Sequence, residues 1–154
     1  QNTDQKQEVI MDLFCGTGTI GQLLSSKIPG AEVIGVDIVP EAISDAKKNA
    51  KRNGVEGLKF YAADVGKFLQ EYPQYNGTIS TVVLDPTRAG IAPKTLKKVV
   101  YLNAPRIVYV SCNPATQARD AEYLVSCGYQ LKKVSLVDQF PHTSHVESII
   151  LFEK

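Results

Sequence analysis

Five short apolar runs, each followed by a stretch with helical character, constrain this chain more than any other feature. Val9–Phe14, Glu32–Val36, Leu58–Tyr61, Thr81–Leu84 and Arg106–Val110 are β-branched and mostly lack period-two alternation. That pattern is expected of parallel strands covered on both faces. Thr19–Lys27, Pro40–Asn53, Val65–Glu71, Pro93–Leu102 and Ala115–Cys127 carry helical periodicity or helix formers. Pro40 and Pro93 suit a first helical turn, and Asn53-Gly54 and Cys127-Gly128 suit helix stops. Gln130–Leu136 and Ser148–Phe152 then follow with only the loop Val137–Glu147 between them, so the sheet should end in an antiparallel pair. The fold class is α/β, a mostly parallel seven-stranded sheet with an antiparallel C-terminal strand and helices on both faces.

A chain of 154 residues, 44% hydrophobic and 21% charged, buries one ordinary core. The formal net charge of +1 creates no global field to draw in a polyanion, so any such partner must be held by a local patch or by another part of the protein. Three cysteines without CxxC or metal-ligand spacing argue against a disulfide framework and against a metal site. They fit a reducing, cytoplasmic setting. No apolar stretch approaches the roughly 18 residues of a membrane span, and the N-terminus is not signal-like. Gln1–Gln7 is polar and uncapped, so residues 1–8 are expected to be the stub of a longer protein. Residues 9–154 then form one domain, expected to be monomeric.

The first motif is Asp12-x-x-x-Gly16-x-Gly18-x-x-Gly21, at a strand-to-helix turn. Glycines there let the backbone approach a ligand, and a helix N-terminus offers unpaired N–H groups. Asp37 ends the second strand and can accept hydrogen bonds from two ribose hydroxyls. Together they predict a nucleoside cofactor. Dinucleotide binding is the first alternative, but an acid and an aromatic precede the glycines in Asp12-Leu13-Phe14-Cys15-Gly16. That arrangement resembles the S-adenosylmethionine site of class I methyltransferases. Asp64, at the end of the third strand, falls where those enzymes contact the adenine, or else caps the helix that follows.

The second motif, Asp85-Pro86-Thr87-Arg88-Ala89-Gly90, closes the fourth strand and should share a crevice with the first. Asp85 is expected to face the far end of the cofactor and the substrate. No aromatic follows Pro86, which disfavours an exocyclic base amine as methyl acceptor. The third motif, Ser111-Cys112-Asn113-Pro114, lies between the fifth strand and a helix expected to start near Ala115. An ordinary cysteine, with a pKa of about 8.5, is only slightly ionised at neutral pH. A thiol beside a helix N-terminus feels a partial positive charge that favours thiolate.

Four motifs in order carry a family resemblance: Asp12-Leu-Phe-Cys-Gly-x-Gly, Asp85-Pro-x-Arg-x-Gly, Ser111-Cys-Asn-Pro-Ala-Thr-x-Ala-Arg-Asp120 and Asp138-x-Phe-Pro-His-Thr-x-His-x-Glu147. From about Val9 to the end, the chain resembles the RNA uracil-5-methyltransferases, nearest the bacterial 23S ribosomal RNA branch. The resemblance implies a Rossmann-like class I methyltransferase fold, S-adenosyl-L-methionine as cofactor, and 5-methyluridine formation in rRNA or tRNA. It implies Cys112 as nucleophile and Glu147 as general base. Phe14, Gly16, Gly18, Thr19, Asp37, Asp64 and Asp85 fall in the cofactor set, and Asp85 and Arg88 near the uracil. His142 and His145 are expected to order their loop rather than to catalyse.

Full-length members of that family carry upstream regions that hold most of the RNA and supply a cofactor-contacting glutamine. Some also hold an iron–sulfur cluster there. Lys47, Lys48, Lys51, Arg52, Lys94, Lys97 and Lys98 can reach phosphates, although such helical charge runs also serve as solvated faces. Thr87 stands where proline is frequent. Two alternatives differ in chemistry: methylation of another nucleobase atom or a small molecule, which needs neither Cys112 nor Glu147, and a non-catalytic domain that binds the cofactor or RNA.

Overall fold

The computed structural model describes residues 7–138 and 146–154. Its order is β1 (Val9–Leu13), α1 (Thr19–Lys27), β2 (Glu32–Asp37), α2 (Pro40–Arg52), β3 (Leu58–Ala62), α3 (Val65–Glu71), a short 3-10 turn at Pro73–Tyr75, β4 (Thr81–Leu84), α4 (Pro93–Tyr101), β5 (Arg106–Ser111), α5 (Pro114–Ser126), β6 (Gln130–Asp138) and β7 (Val146–Glu153). Pro40, Pro93 and Pro114 each sit in a first helical turn, where the missing N–H costs no hydrogen bond.

The seven strands form one sheet in the order β3-β2-β1-β4-β5-β7-β6. The first five are mutually parallel, and β7 enters between β5 and β6, antiparallel to both. One strand, β7, thus runs against the other six. Along β1, Met11 and Leu13 bury against α3, α4 and α5 with Phe68, Leu96, Val99 and Leu124. The alternate residues Ile10, Val33 and Val83 meet Ile20, Leu24 and Ile28 of the α1 side. Phe60 meets Ile43, Ala46 and Ala50 of α2. Both faces of β1–β3 are therefore apolar, which is why those strands read as near-continuous runs.

Several boundaries differ from expectation. Phe14 lies outside β1 and takes φ +62°, because the chain turns there into the glycine loop. Helix α5 begins at Pro114, one residue before the expected Ala115, since the Asn113 side chain caps it by accepting from the Ala115 N–H at 3.1 Å. The last two strands are longer than their apolar cores: Val137 and Glu147, expected in the loop, pair with each other in the ladder. His142 and His145 lie outside the described residues. No helix among the described residues is long and apolar enough to cross a membrane.

Candidate active site

The order of strands places the change of connection between β1 and β4, whose carboxyl ends open a crevice. This crevice of about 300 Å³ is lined by residues from four strand ends: Phe14 and Gly16 after β1, Asp37 of β2, Asp64 after β3, and Asp85 and Thr87 after β4. Five of the seven residues expected in the cofactor set line this one cavity. Ile38, Val39, Ala42 and Val65 add apolar surface. A flat ring needs such walls, and a ribose needs a carboxylate beside them.

Asp37 also builds the loop above it. Its Oδ2 accepts from the Gly16 N–H and its Oδ1 from the Val39 N–H, both at 2.9 Å. Two acceptor bonds leave lone pairs on both oxygens for ligand hydroxyls. Asp64 has two places in this geometry. It lines the crevice and caps α3, accepting from the Lys67 N–H at 3.0 Å.

Gly18 and Thr19 lie elsewhere. Gly18 has φ +76°, and a Cβ there would meet the Phe60 ring at 2.8 Å and Ala46 at 3.2 Å. Its missing side chain makes room for α2 and β3 packing, and it does not line the cavity. Thr19 is the first residue of α1, exposed, with its hydroxyl 3.3 Å from that of Thr17.

The acids under the loop are electrostatically coupled. Asp12 is 1% exposed, and neither carboxylate oxygen makes a hydrogen bond. Burial first, then the charges of Asp85 and Asp37, push its pKa up to about 7. Asp85 is pushed up to about 6 by burial and by the charge of Glu147. That last effect sets Glu147, from the far end of the sequence, in the electrostatic field of the β4 tip.

The β5–β7 ladder explains the approach. Its register pairs Arg106 with Glu153 and ends at Ser111 opposite Ser148. Cys112 follows directly in the bend after β5, and Glu147 precedes Ser148 in β7, where it pairs with Val137 of β6. Gln117 of α5 fastens this corner, its amide donating to the carbonyls of Tyr109 at 3.2 Å and Ser148 at 3.0 Å.

The three thiols differ sharply. Cys112 is exposed, one residue before the cap of α5, whereas Cys15 is half-buried beneath the glycine loop. Burial and the charges of Asp12 and Asp37 drive the Cys15 thiol far above its ordinary range, which keeps it neutral. Cys127 sits at the far end of α5. Arg88 is exposed on the loop after β4, its carbonyl held by α5.

Sequence reasoning missed the buried, unpartnered state of Asp12 and the hydrogen bonds joining residues 88–91 to α5. An acid inside an apolar strand was the available signal for the first. The second had only Asn113 before a proline, which marks a helix cap and says nothing of the loop it also holds.

Comparison with known proteins agrees with this geometry. A family described as a methyltransferase domain matches residues 4–145. The chain is 45% identical over 152 residues to the 23S rRNA (uracil(1939)-C(5))-methyltransferase of Shewanella denitrificans, covering 97% of this chain and 32% of that protein. It is 44% identical over 151 residues to an RNA methyltransferase of Clostridium acetobutylicum, again covering 32% of that protein. The chain thus spans about a third of the length of these relatives. Among solved structures, the Pyrococcus abyssi tRNA (uracil-54, C5)-methyltransferase in complex with S-adenosyl-L-homocysteine superposes with a TM-score of 0.78 at 34% identity, covering 94% of this chain and 34% of that one. The precorrin-6y C5,15-methyltransferase of Geobacter metallireducens shares the fold, with a TM-score of 0.79 at 17% identity over 97% of this chain and 82% of that one. The glycine loop, the carboxylates at the strand tips and the sheet order therefore have one explanation: the chain belongs to the methyltransferase-domain family.

Proposed function

We propose that residues 9–154 are the catalytic domain of an S-adenosyl-L-methionine-dependent RNA methyltransferase that forms 5-methyluridine. The observation that supports this reading most is the β5–β7 ladder, which ends at Ser111 opposite Ser148, the residues next in the chain to an exposed Cys112 and to Glu147. A methyltransferase acting on a nucleophilic nitrogen or oxygen has no use for that pair.

The cavity residues fit the cofactor. Asp37 would hold the ribose, Asp64 and the apolar wall the adenine, and Phe14, Gly16 and Asp85 the methionine end. When bound, this cofactor supplies an electrophilic methyl group on a sulfonium. Thr19 and Gly18 support the loop from outside the cavity.

Carbon 5 of uracil is a poor nucleophile, and Cys112 corrects that. Its thiolate adds to carbon 6, and the ring electrons move toward oxygen 4 and carbon 5, the methyl-accepting atom. Arg88 supplies a positive charge where oxygen 4 gains electrons, lowering the barrier. After methylation carbon 5 still carries its proton. Glu147 takes that proton, the electron pair re-forms the 5,6 double bond, and the Cys112 sulfur leaves as thiolate. Asp85, beside the uracil, orients it against the cofactor end.

The target base must leave its stack to reach this corner. RNA is the partner, rRNA or tRNA, and most of the grip on it is assigned to the part of the protein outside these residues. Methyl-labelled RNA digested to nucleosides tests the reading. Wild-type full-length protein is expected to yield labelled 5-methyluridine and Cys112→Ala none. Labelled product of another kind, or unchanged 5-methyluridine from Cys112→Ala, would contradict it.

A further inference from the structure

Residues 88–91, after β4, lie against the first two turns of α5 with their main chain gripped almost residue by residue. The Arg88 carbonyl accepts from Asn113 Nδ2 at 2.9 Å and from Thr116 Oγ1 at 3.0 Å. Arg119 Nη2 donates to the carbonyls of Ala89 at 3.2 Å and Ile91 at 3.3 Å. The Ile91 N–H donates to Asp120 Oδ2 at 3.0 Å, and the Tyr109 hydroxyl donates to that same buried oxygen at 2.6 Å. Gly90 has φ +76°, and a Cβ there would come within 2.7 Å of Arg119 Nη2 and 2.9 Å of Asp120 Oδ2. The loop touches the helix too closely to admit any side chain. Positions 113, 116, 119 and 120 recur at helical spacing, so one face of α5 makes the whole contact.

Asn113 links two tasks. Its Oδ1 caps α5 through the Ala115 N–H, while its Nδ2 holds the Arg88 carbonyl. It also follows Cys112 directly in the chain. One side chain therefore spans from the residue next to the sulfur to the backbone of the arginine, with Thr116 as a second tie to the same carbonyl. A cap alone needs only the Oδ1 contact.

We propose that Asn113 and Thr116 are positioning residues that set the Arg88 backbone relative to Cys112. With the span fixed, the arginine meets uracil oxygen 4 at the moment the sulfur reaches carbon 6. The idea rests on the reading of Cys112 as nucleophile. It predicts that loosening the tie slows addition without weakening cofactor binding, because the cavity for the cofactor is lined from β1 to β4 and by no residue of α5.

The test uses the full-length protein with RNA carrying 5-fluorouridine at the target. Thr116→Val removes the donor at nearly constant shape. Asn113→Ser keeps a helix cap but is too short to reach Arg88. Each is expected to slow covalent adduct formation by about 100-fold, the scale of a small misplacement of reacting groups. S-adenosyl-L-homocysteine affinity, RNA KM and thermal midpoint should stay at wild-type values, and Thr116→Ser should restore the rate. Adduct formation at the wild-type rate in both variants would overturn the proposal. So would a rate loss matched by losses in cofactor affinity and thermal midpoint, since the residues would then be merely structural. A Cys112→Ala control in the same assay separates the two claims: an adduct there would refute the nucleophile reading itself, whatever Thr116→Val does.

Discussion

Asp12 departs furthest from what its surroundings favour, a carboxylate inside the sheet with no hydrogen bond to either oxygen. In the folded chain it holds its proton up to about pH 7, against an ordinary value of 3.8. Between those limits the folded state binds more protons than the unfolded one, so stability falls as pH rises from about 4 to 7 and is flat above. The contribution is on the order of 4 kcal/mol, and an Asp12→Asn variant should lack it. Urea midpoints of both proteins at several pH values check this. A wild-type slope that survives in the variant would assign it to another group. Asp85 offers a second check. Burial and the Glu147 charge raise it to about 6, so cofactor binding should weaken as pH falls through that value. Removing the neighbouring charge in Glu147→Gln should move that step to lower pH, as read by calorimetric titration with S-adenosyl-L-homocysteine.

At the scale of elements, α3 is pinned by aromatic packing. Phe68 is 1% exposed and lies 4.5 Å from the Tyr72 ring and 5.0 Å from that of Tyr61. Phe68→Ala should cost about 3–5 kcal/mol, read as a lower urea midpoint with an unchanged slope. The elements themselves were legible where one physical cause dominated: β-branched runs for the covered strands, prolines for the first helical turns. They were less legible where pairing decided. Val146 and Glu147 close a polar stretch and read as loop, yet pairing with Asp138 and Val137 of β6 draws them into the ladder. Glu147 was therefore identified by motif but assigned to the wrong kind of element. Gly18 shows the converse. Its spacing matched a ligand-approach glycine, while the structure fills the space with Phe60, because a missing Cβ serves a ring from the core as well as a ligand.

The topology of the whole molecule explains how residues far apart in sequence reach one edge of the sheet. Parallel strands bring their carboxyl ends to one edge, so Asp12, Asp37 and Asp85 converge there in any doubly wound sheet of this order. The inserted β7 then returns Glu147 to the same edge from the opposite direction. The convergence of the strand tips was legible in the sequence, since each chemical motif followed an apolar run. The tie between residues 88–91 and α5 was not, because it depends on main-chain carbonyls whose neighbours no residue pattern encodes. The central proposal is a bond between the Cys112 sulfur and carbon 6 of uracil. Full-length protein incubated with cofactor and 5-fluorouridine RNA, digested with trypsin and examined by mass spectrometry, addresses it directly. Nucleotide mass is expected on the peptide spanning residues 107–119, at Cys112. Nucleotide mass on the peptide of Cys15 or Cys127, or no covalent species while ordinary RNA is still methylated, would contradict it.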